Sequence, residues 1–177
     1  MENIIQVFIE NQAGSRIKNI HNEKTFEFKG SLTVARPYPF PYGFVLGTTG
    51  EDGGNLDCFV LTDHALNRGD IVDCSVVGLM EQFEDGDPDH NILAALASES
   101  ANVTESIKSE LAAFVTEVFS MVDLNDDMSR TDGEVLDYLK RKAIQLKSKK
   151  ITPGEFLGIA PALSLIKKCS DKTHLVR

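Results

Sequence analysis

The chain changes texture near residue 100. From 4 to 97, apolar residues come in short runs broken by turn residues, which is the spacing of strands. Residues 4–9 form an apolar run with Gln6 as its one polar member, and the run ends at Glu10. Phe26 and Phe28 alternate with Glu27 and Lys29, as on a half-buried strand. Residues 44–46 and 58–61 are rich in large apolar side chains. Residues 71–79 are β-branched and follow the turn signal Arg68-Gly69-Asp70, and 92–96 make one more candidate strand. Short strands at this spacing predict a small barrel. From 102 to 170 the period lengthens. Val103, Ile107, Leu111, Phe114, Val115, Val118 and Val122 recur at steps of three and four, which predicts an amphipathic helix. Thr131-Asp132-Gly133-Glu134 is a capping-box pattern that opens a second helix over 135–146. Thr152-Pro153-Gly154-Glu155 repeats the device and predicts a third helix, with Pro153 at its first position and an interruption or kink at Pro161. The tail from Thr173 to Arg177 is expected to be poorly ordered.

Composition narrows the class. A length of 177 residues and a hydrophobic fraction of 42% suit one globular domain with a sizeable core. No apolar run approaches the ~18 residues of a membrane span, and Met1-Glu2-Asn3 lacks the basic start of a secretory signal. The three cysteines, Cys58, Cys74 and Cys169, are odd in number and have no CxxC spacing. They read as reduced thiols of a cytoplasmic protein rather than a disulfide framework or a zinc site. A net charge of −9 opposes non-specific nucleic-acid binding and is compatible with a site that gathers divalent cations. An oligonucleotide-binding barrel is further disfavoured because no aromatic-basic stacking face is present.

Two segments carry candidate chemistry. Residues 36–44 pack three prolines and two tyrosines into nine positions, Arg36-Pro37-Tyr38-Pro39-Phe40-Pro41-Tyr42-Gly43-Phe44. Such a segment is stiff and extended, and it holds two phenols in place. Residues 50–57, Gly50-Glu51-Asp52-Gly53-Gly54-Asn55-Leu56-Asp57, form a glycine-rich turn with three carboxylates. It reads either as a solvated acidic hairpin or as oxygen ligands aimed at a hard cation such as Mg²⁺. A second acidic stretch, Glu84, Asp85, Asp87 and Asp89, follows the strand at 71–79 and has the same two readings. It lacks the glycine and distant glutamate of a calcium-binding EF-hand loop. Two acidic turns flanking strands of one barrel are placed to share metals. His21, His64, His90 and His174 show no ligand spacing, although His90 lies beside the acidic stretch and is a candidate transition-metal ligand.

Taken together, these motifs resemble the soluble barrel-type (family I) inorganic pyrophosphatases. Those proteins carry a Tyr-Pro-x-x-Tyr-Gly segment, matched by Tyr38-Pro39-Phe40-Pro41-Tyr42-Gly43, and then a D-G-D-P-x-D turn, matched by Asp52 and Asp57. Residues 69–78, from Gly69 to Gly78, resemble the family's next strand. Glu84 and Asp89 fall at two metal-binding aspartates, Glu10 at a glutamate ending the first strand, and Lys18 at a phosphate-binding lysine. The resemblance covers roughly residues 4–97. It implies an α+β fold, a small OB-like closed β-barrel of about five main strands with C-terminal helices packed on it. That fold forms a single domain over 1–177, barrel about 1–97 and helical part about 102–170. It implies hydrolysis of pyrophosphate to two phosphates by metal-activated water, with Mg²⁺, or Mn²⁺, as cofactor. The implied metal ligands are Asp52, Asp57, Glu84, Asp89 and Glu10. The implied substrate contacts are Lys18, Tyr42, Tyr38 and Lys29, with Asp57 and Tyr42 catalytic. A homo-oligomer, with no nucleic-acid or membrane partner, is also implied.

The departures fall on the chemistry. Gly54 stands where the family has its middle aspartate, which is a metal ligand that orients the attacking water, and Asn55 replaces the proline after it. Ile20 replaces a glutamate and Asn91 a lysine, while Val118 and Phe119 lie where a Tyr-Lys pair is expected. Gly30 falls near an expected arginine, leaving Lys29 or Arg36 as the neighbouring cation. Asp85 and Asp87 are candidates to compensate for the missing carboxylate. A second reading follows: a catalytically impaired pyrophosphatase-fold paralogue that binds a phosphorylated ligand or a protein partner.

Overall fold

In a computed structural model that describes residues 3–125 and 133–171, the strands of the first half close on themselves. They are β1 (Ile4–Asn11), β2 (Ile17–His21), β3 (Phe28–Val34), β4 (Tyr42–Val45), β5 (Asp57–Val60), β6 (Ile71–Glu84), β7 (Asp87–Pro88) and β8 (Asn91–Leu96). Helix α1 (Glu105–Glu117), strand β9 (Val122–Leu124), helix α2 (Gly133–Ser148), strand β10 (Ile151–Leu157) and helix α3 (Ile159–Cys169) follow. The barrel order is β1-β4-β5-β8-β6, and β1 pairs back onto β6 from Ile4↔Ser75 to Phe8↔Ile71. The expected closed barrel of about five main strands is therefore present. Within it β5 and β8 run parallel, and the other neighbours are antiparallel. β10 extends the sheet from β6, while β2, β3 and β9 form a separate three-stranded sheet.

Alternation along the strands divides the core among the helices. Cys58 and Val60 join Val7, Ile9 and Ile92 in a cluster that includes Ala162 of α3. Phe59, on the opposite face of β5, and Leu61 just after the strand pack with Leu93, Leu111 and Phe114, so α1 covers that side. Ile20, Leu32 and Val122 meet Leu139, Ala143 and Leu146 of α2. Each valine, leucine, isoleucine or phenylalanine among them, fully buried, contributes roughly 1.5–3 kcal/mol. Spacing of three and four along α2 makes its buried stripe, and that stripe is what docks the helix on β3 and β9. Among the described residues, no helix is long and apolar enough to cross a membrane. Cys58 and Cys74 are buried free thiols, and Cys169 is half-buried.

Several local expectations are corrected. Residues 152–155 do not start a helix. They lie in β10, with Thr152 opposite Phe83 and Pro153 opposite Gln82, and the register shifts between Pro153 and Phe156. A proline at the sheet edge beside an irregularity costs little, because its missing N–H is not needed there. Pro161 does not interrupt a helix; it sits in the first turn of α3, where backbone N–H groups have no helical partner anyway. The stripe from Val103 to Val122 is split: α1 ends at Glu117 and Val122 belongs to β9. Phe26 is not in a strand. It adopts φ 66° in the β2–β3 turn and stacks on Phe8 and Phe44, at 5.0 Å and 6.2 Å between ring centroids. The strand at 71–79 runs on to Glu84, so that residue is part of the sheet. Thr131 and Asp132 of the capping box, and the tail at 173–177, lie outside the described residues.

Candidate active site

Strand ends, two turns and α2 converge on a cleft of about 330 Å³. The stiff segment supplies its phenols. Tyr38 is buried against Phe114 (4.8 Å between centroids), Tyr42 is half-buried against Phe59 (4.9 Å), and the two tyrosine rings are 5.4 Å apart. Gly43 follows because the backbone of β1 passes very close: a Cβ there would stand 1.7 Å from the Phe8 carbonyl oxygen. The Lys18 ammonium lies 5.8 Å from the Tyr42 ring centre and 5.6 Å from that of Phe119. It has no carboxylate within ion-pair distance among the described residues. Burial lowers its pKa, yet Tyr38, Glu10, Asp57 and Glu23 together raise it above the ordinary lysine value.

The expected carboxylates Glu10, Asp52, Asp57, Glu84 and Asp89 all line this cleft. Glu10 is buried and accepts from His21 Nδ1 at 3.1 Å, while the Arg68 guanidinium lies 3.4 Å from His21 Nε2. Arginine only donates, so the Arg68 contact leaves Nδ1 as the ring nitrogen that donates to Glu10. Asp89 is aimed by a buried relay: Asn91 Nδ2 donates to Gln82 Oε1 at 2.8 Å, and Gln82 Nε2 lies 3.4 Å from Asp89 Oδ2. Asn91 is therefore spent on positioning rather than exposed to a ligand. Glu84 accepts from Lys149 Nζ at 3.0 Å.

Crowding shows in the titration of these groups. Burial, then the neighbouring Asp89 and Glu23 carboxylates, push Asp57 well above its ordinary 3.8, against the pull of Lys18. Burial and Glu84 push Asp89 up to about 7. Burial, then Asp57 and Tyr38, raise Tyr42 well above the usual phenol value. Carboxylates forced together in this way are short of positive charge. Their oxygen donor set suits a hard cation such as Mg²⁺. Among the described residues no three acidic, histidine or cysteine side chains form a ready-made metal cage. An open set still fits Mg²⁺, which keeps several waters and shares substrate oxygens.

Three charged cleft residues were not visible as such in the sequence: Glu23 from the β2–β3 turn, Lys142 from α2, and Lys149 just after the end of α2. Burial, then the nearby Lys18 and Lys149, lower the Lys142 pKa, against the pull of Glu84 and Glu23. Their only sequence signal was position: Lys142 lies four residues after Tyr138, beside the apolar stripe of α2. Other candidates fall elsewhere. Lys29 lies 5.5 Å from the Tyr138 ring centre in a separate depression with Glu27 and Phe28. Arg36 pairs with Glu117 at 3.1 Å on the surface. Asp85 is exposed in the β6–β7 turn, where its Oδ1 accepts from the Lys150 backbone at 2.9 Å, and Asp87 is exposed at the start of β7. They do not fill the gap left by Gly54. His90 Nδ1 accepts the Gln82 backbone N–H at 3.0 Å.

Comparison with known proteins gives the family and the fold. An inorganic pyrophosphatase of Mycoplasma pneumoniae is 34% identical over 95 residues, covering 52% of this chain and 52% of that protein. The chain thus spans about half the length of that relative. One from Sulfolobus acidocaldarius is 24% identical over 159 residues, covering 89% of this chain and 80% of its own length. The crystal structure of the Thermus thermophilus inorganic pyrophosphatase superposes with a TM-score of 0.70 at 24% identity, covering 94% of this chain and 89% of that one. That likeness establishes the fold. The inorganic pyrophosphatase family profile matches residues 7–173, and the chain belongs to that family.

Proposed function

We propose that this chain hydrolyses inorganic pyrophosphate to two phosphates with Mg²⁺, or Mn²⁺ in its place, held by Asp52, Asp57, Glu84, Asp89 and Glu10. The observation that carries the reading is a single cleft in which those carboxylates meet the lysines Lys18, Lys142 and Lys149. Negative side chains alone would repel a polyanion, and positive ones alone would repel a metal. A metal–pyrophosphate complex satisfies both. Bound Mg²⁺ would lower the pKa of a coordinated water and make hydroxide available near neutral pH.

The protein's own groups have separable roles. Lys18, Lys142 and Lys149 donate to phosphate oxygens and offset charge on the leaving phosphate. Tyr42 and Tyr38, both with raised pKa values, stay protonated and act as neutral donors. Asp57 takes the proton-accepting role at a carboxylate oxygen. Lys29, with its ammonium over Tyr138, has no assigned contact. Lys142 of α2 and Lys149 just after it supply the positive charge absent at Asn91, Val118 and Phe119, and so weigh against the impaired-site alternative. The same reading includes one domain, a cytoplasmic location in keeping with free cysteines, and a homo-oligomer. The test is phosphate release from pyrophosphate with Mg²⁺ and then with Mn²⁺. Turnover with either supports hydrolysis. A folded chain that releases no phosphate with either metal sinks it and leaves the binding-only paralogue.

A further inference from the structure

Two adjacent departures from the family turn, Gly54 and Asn55, have one structural explanation. The β2–β3 turn brings Glu23 to them. Asn22 Oδ1 accepts the backbone N–H groups of Lys24 and Thr25 at 2.9 and 3.0 Å, which fixes the reversal. Lys24 Nζ then donates to the Thr48 carbonyl, Thr49 Oγ1 and Asn55 Oδ1 at 3.0, 2.8 and 2.7 Å. The neighbouring Glu23 side chain enters the cleft, and its Oε2 accepts the Asn55 backbone N–H at 3.1 Å.

A Cβ built on Gly54 would stand 2.8 Å from Glu23 Oε2, closer than real Cβ contacts come. Asp52 Oδ1 is 3.6 Å from the same point. The carboxylate of Glu23 thus occupies the space that a residue-54 side chain would enter. Proline at 55 has no N–H to give, so a residue other than proline there is what lets Glu23 dock. Glycine at 54 makes the room, and the backbone N–H of Asn55 makes the bond. Among the described residues Glu23 Oε2 has this one hydrogen bond, and Oε1 has neither hydrogen bond nor ion pair.

We propose that Glu23 is a cation-ligating residue of this cleft, supplying from the β2–β3 turn the carboxylate that stands between Asp52 and Asp57. The assignment rests on the reading of the cleft as a metal–pyrophosphate site. It names a residue that lies outside the family motif.

The experiment is Mn²⁺ binding, followed by electron paramagnetic resonance of the free ion, on the intact chain. Glu23→Gln keeps an acceptor for the Asn55 N–H and removes the charge. It is expected to weaken Mn²⁺ binding about tenfold or more. Gly54→Asp alone crowds Glu23 and is expected to weaken binding too. The double variant Glu23→Ala/Gly54→Asp moves the carboxylate back to the turn and is expected to recover most of the affinity. It also serves as the test should the single variants fold poorly. Unchanged Mn²⁺ affinity in Glu23→Gln, or no Mn²⁺ uptake by the unaltered chain, overturns the assignment. Phosphate release measured in parallel separates the two claims. Mn²⁺ binding that depends on Glu23, with no turnover, supports Glu23 and sinks hydrolysis. Turnover with Mn²⁺ binding indifferent to Glu23 does the reverse.

Discussion

Residues 38–57 and residues 133–149 line the same cleft, and they acquire their chemistry in opposite ways. In the first region nearly every position has a local reason. Prolines stiffen the chain, Tyr38 and Tyr42 are held as neighbours, Gly43 lets β4 pass the backbone of β1, and Asp52 and Asp57 stand at the ends of one turn. In the second region nothing local points to chemistry. Helix α2 is an ordinary amphipathic helix, and its lysines read as a solvated face. Docking of Leu139, Ala143 and Leu146 on the β2–β3–β9 sheet turns Lys142, and Lys149 just past the helix end, into the cleft. A motif survives substitution of one side chain because its backbone is constrained, whereas a docked helix can supply a charge with no motif at all.

The comparison is broken most directly at Gly43. Gly43→Ala places a methyl group against the Phe8 carbonyl oxygen and is expected to cost about 3 kcal/mol or more. Soluble yield and the urea midpoint measure it, and a midpoint equal to that of the unaltered chain would mean that β1 and β4 part easily. Next comes Asp57. Asp57→Asn should lower phosphate release by about 10²–10³, yet raise the unfolding temperature in chelator because it removes a crowded charge. An equal fall in both would make Asp57 structural.

The second region is sharpened by pairing Lys142 with the exposed Lys140 of the same helix. Loss of one charge-assisted contact is about 1.5–3 kcal/mol, or roughly 10–100-fold in kcat/KM. Lys142→Ala should show that loss, and Lys140→Ala should show none. Equal effects would reduce α2 to general electrostatics. The smallest expected effect is on stability without metal. Asp89 has its pKa raised from 3.8 to about 7, so the folded state holds a proton that the unfolded state releases. With chelator present, its contribution to stability is greatest below 3.8, falls as pH rises toward about 7, and is flat above. Thermal unfolding at pH 5.5 and 8 measures this, and added Mg²⁺ should raise the midpoint more at pH 8.

Much of the fold was legible because strand alternation and helix period report one-dimensional burial. The five barrel strands, α1 and α2 follow from it. The failures were short-range signals outweighed by long-range pairing. Thr152-Pro153-Gly154-Glu155 has the form of a helix start, but β6 offers a free edge, and its hydrogen bonds settle the segment as β10. Residues 17–21 carry little pattern of their own and become β2 by pairing with β3.

The sequence by itself determined the family, the barrel, and the placing of Tyr38, Tyr42, Asp52 and Asp57, because closely spaced residues on a stiff backbone have few geometries open to them. Only the tertiary structure decided which other groups complete the cleft. Glu23 reaches Gly54 across 31 positions of chain, and Lys142 enters the same cleft from 88 positions away, by the packing of a turn and a helix. Local pattern records neither distance, since each is set by which apolar faces find one another.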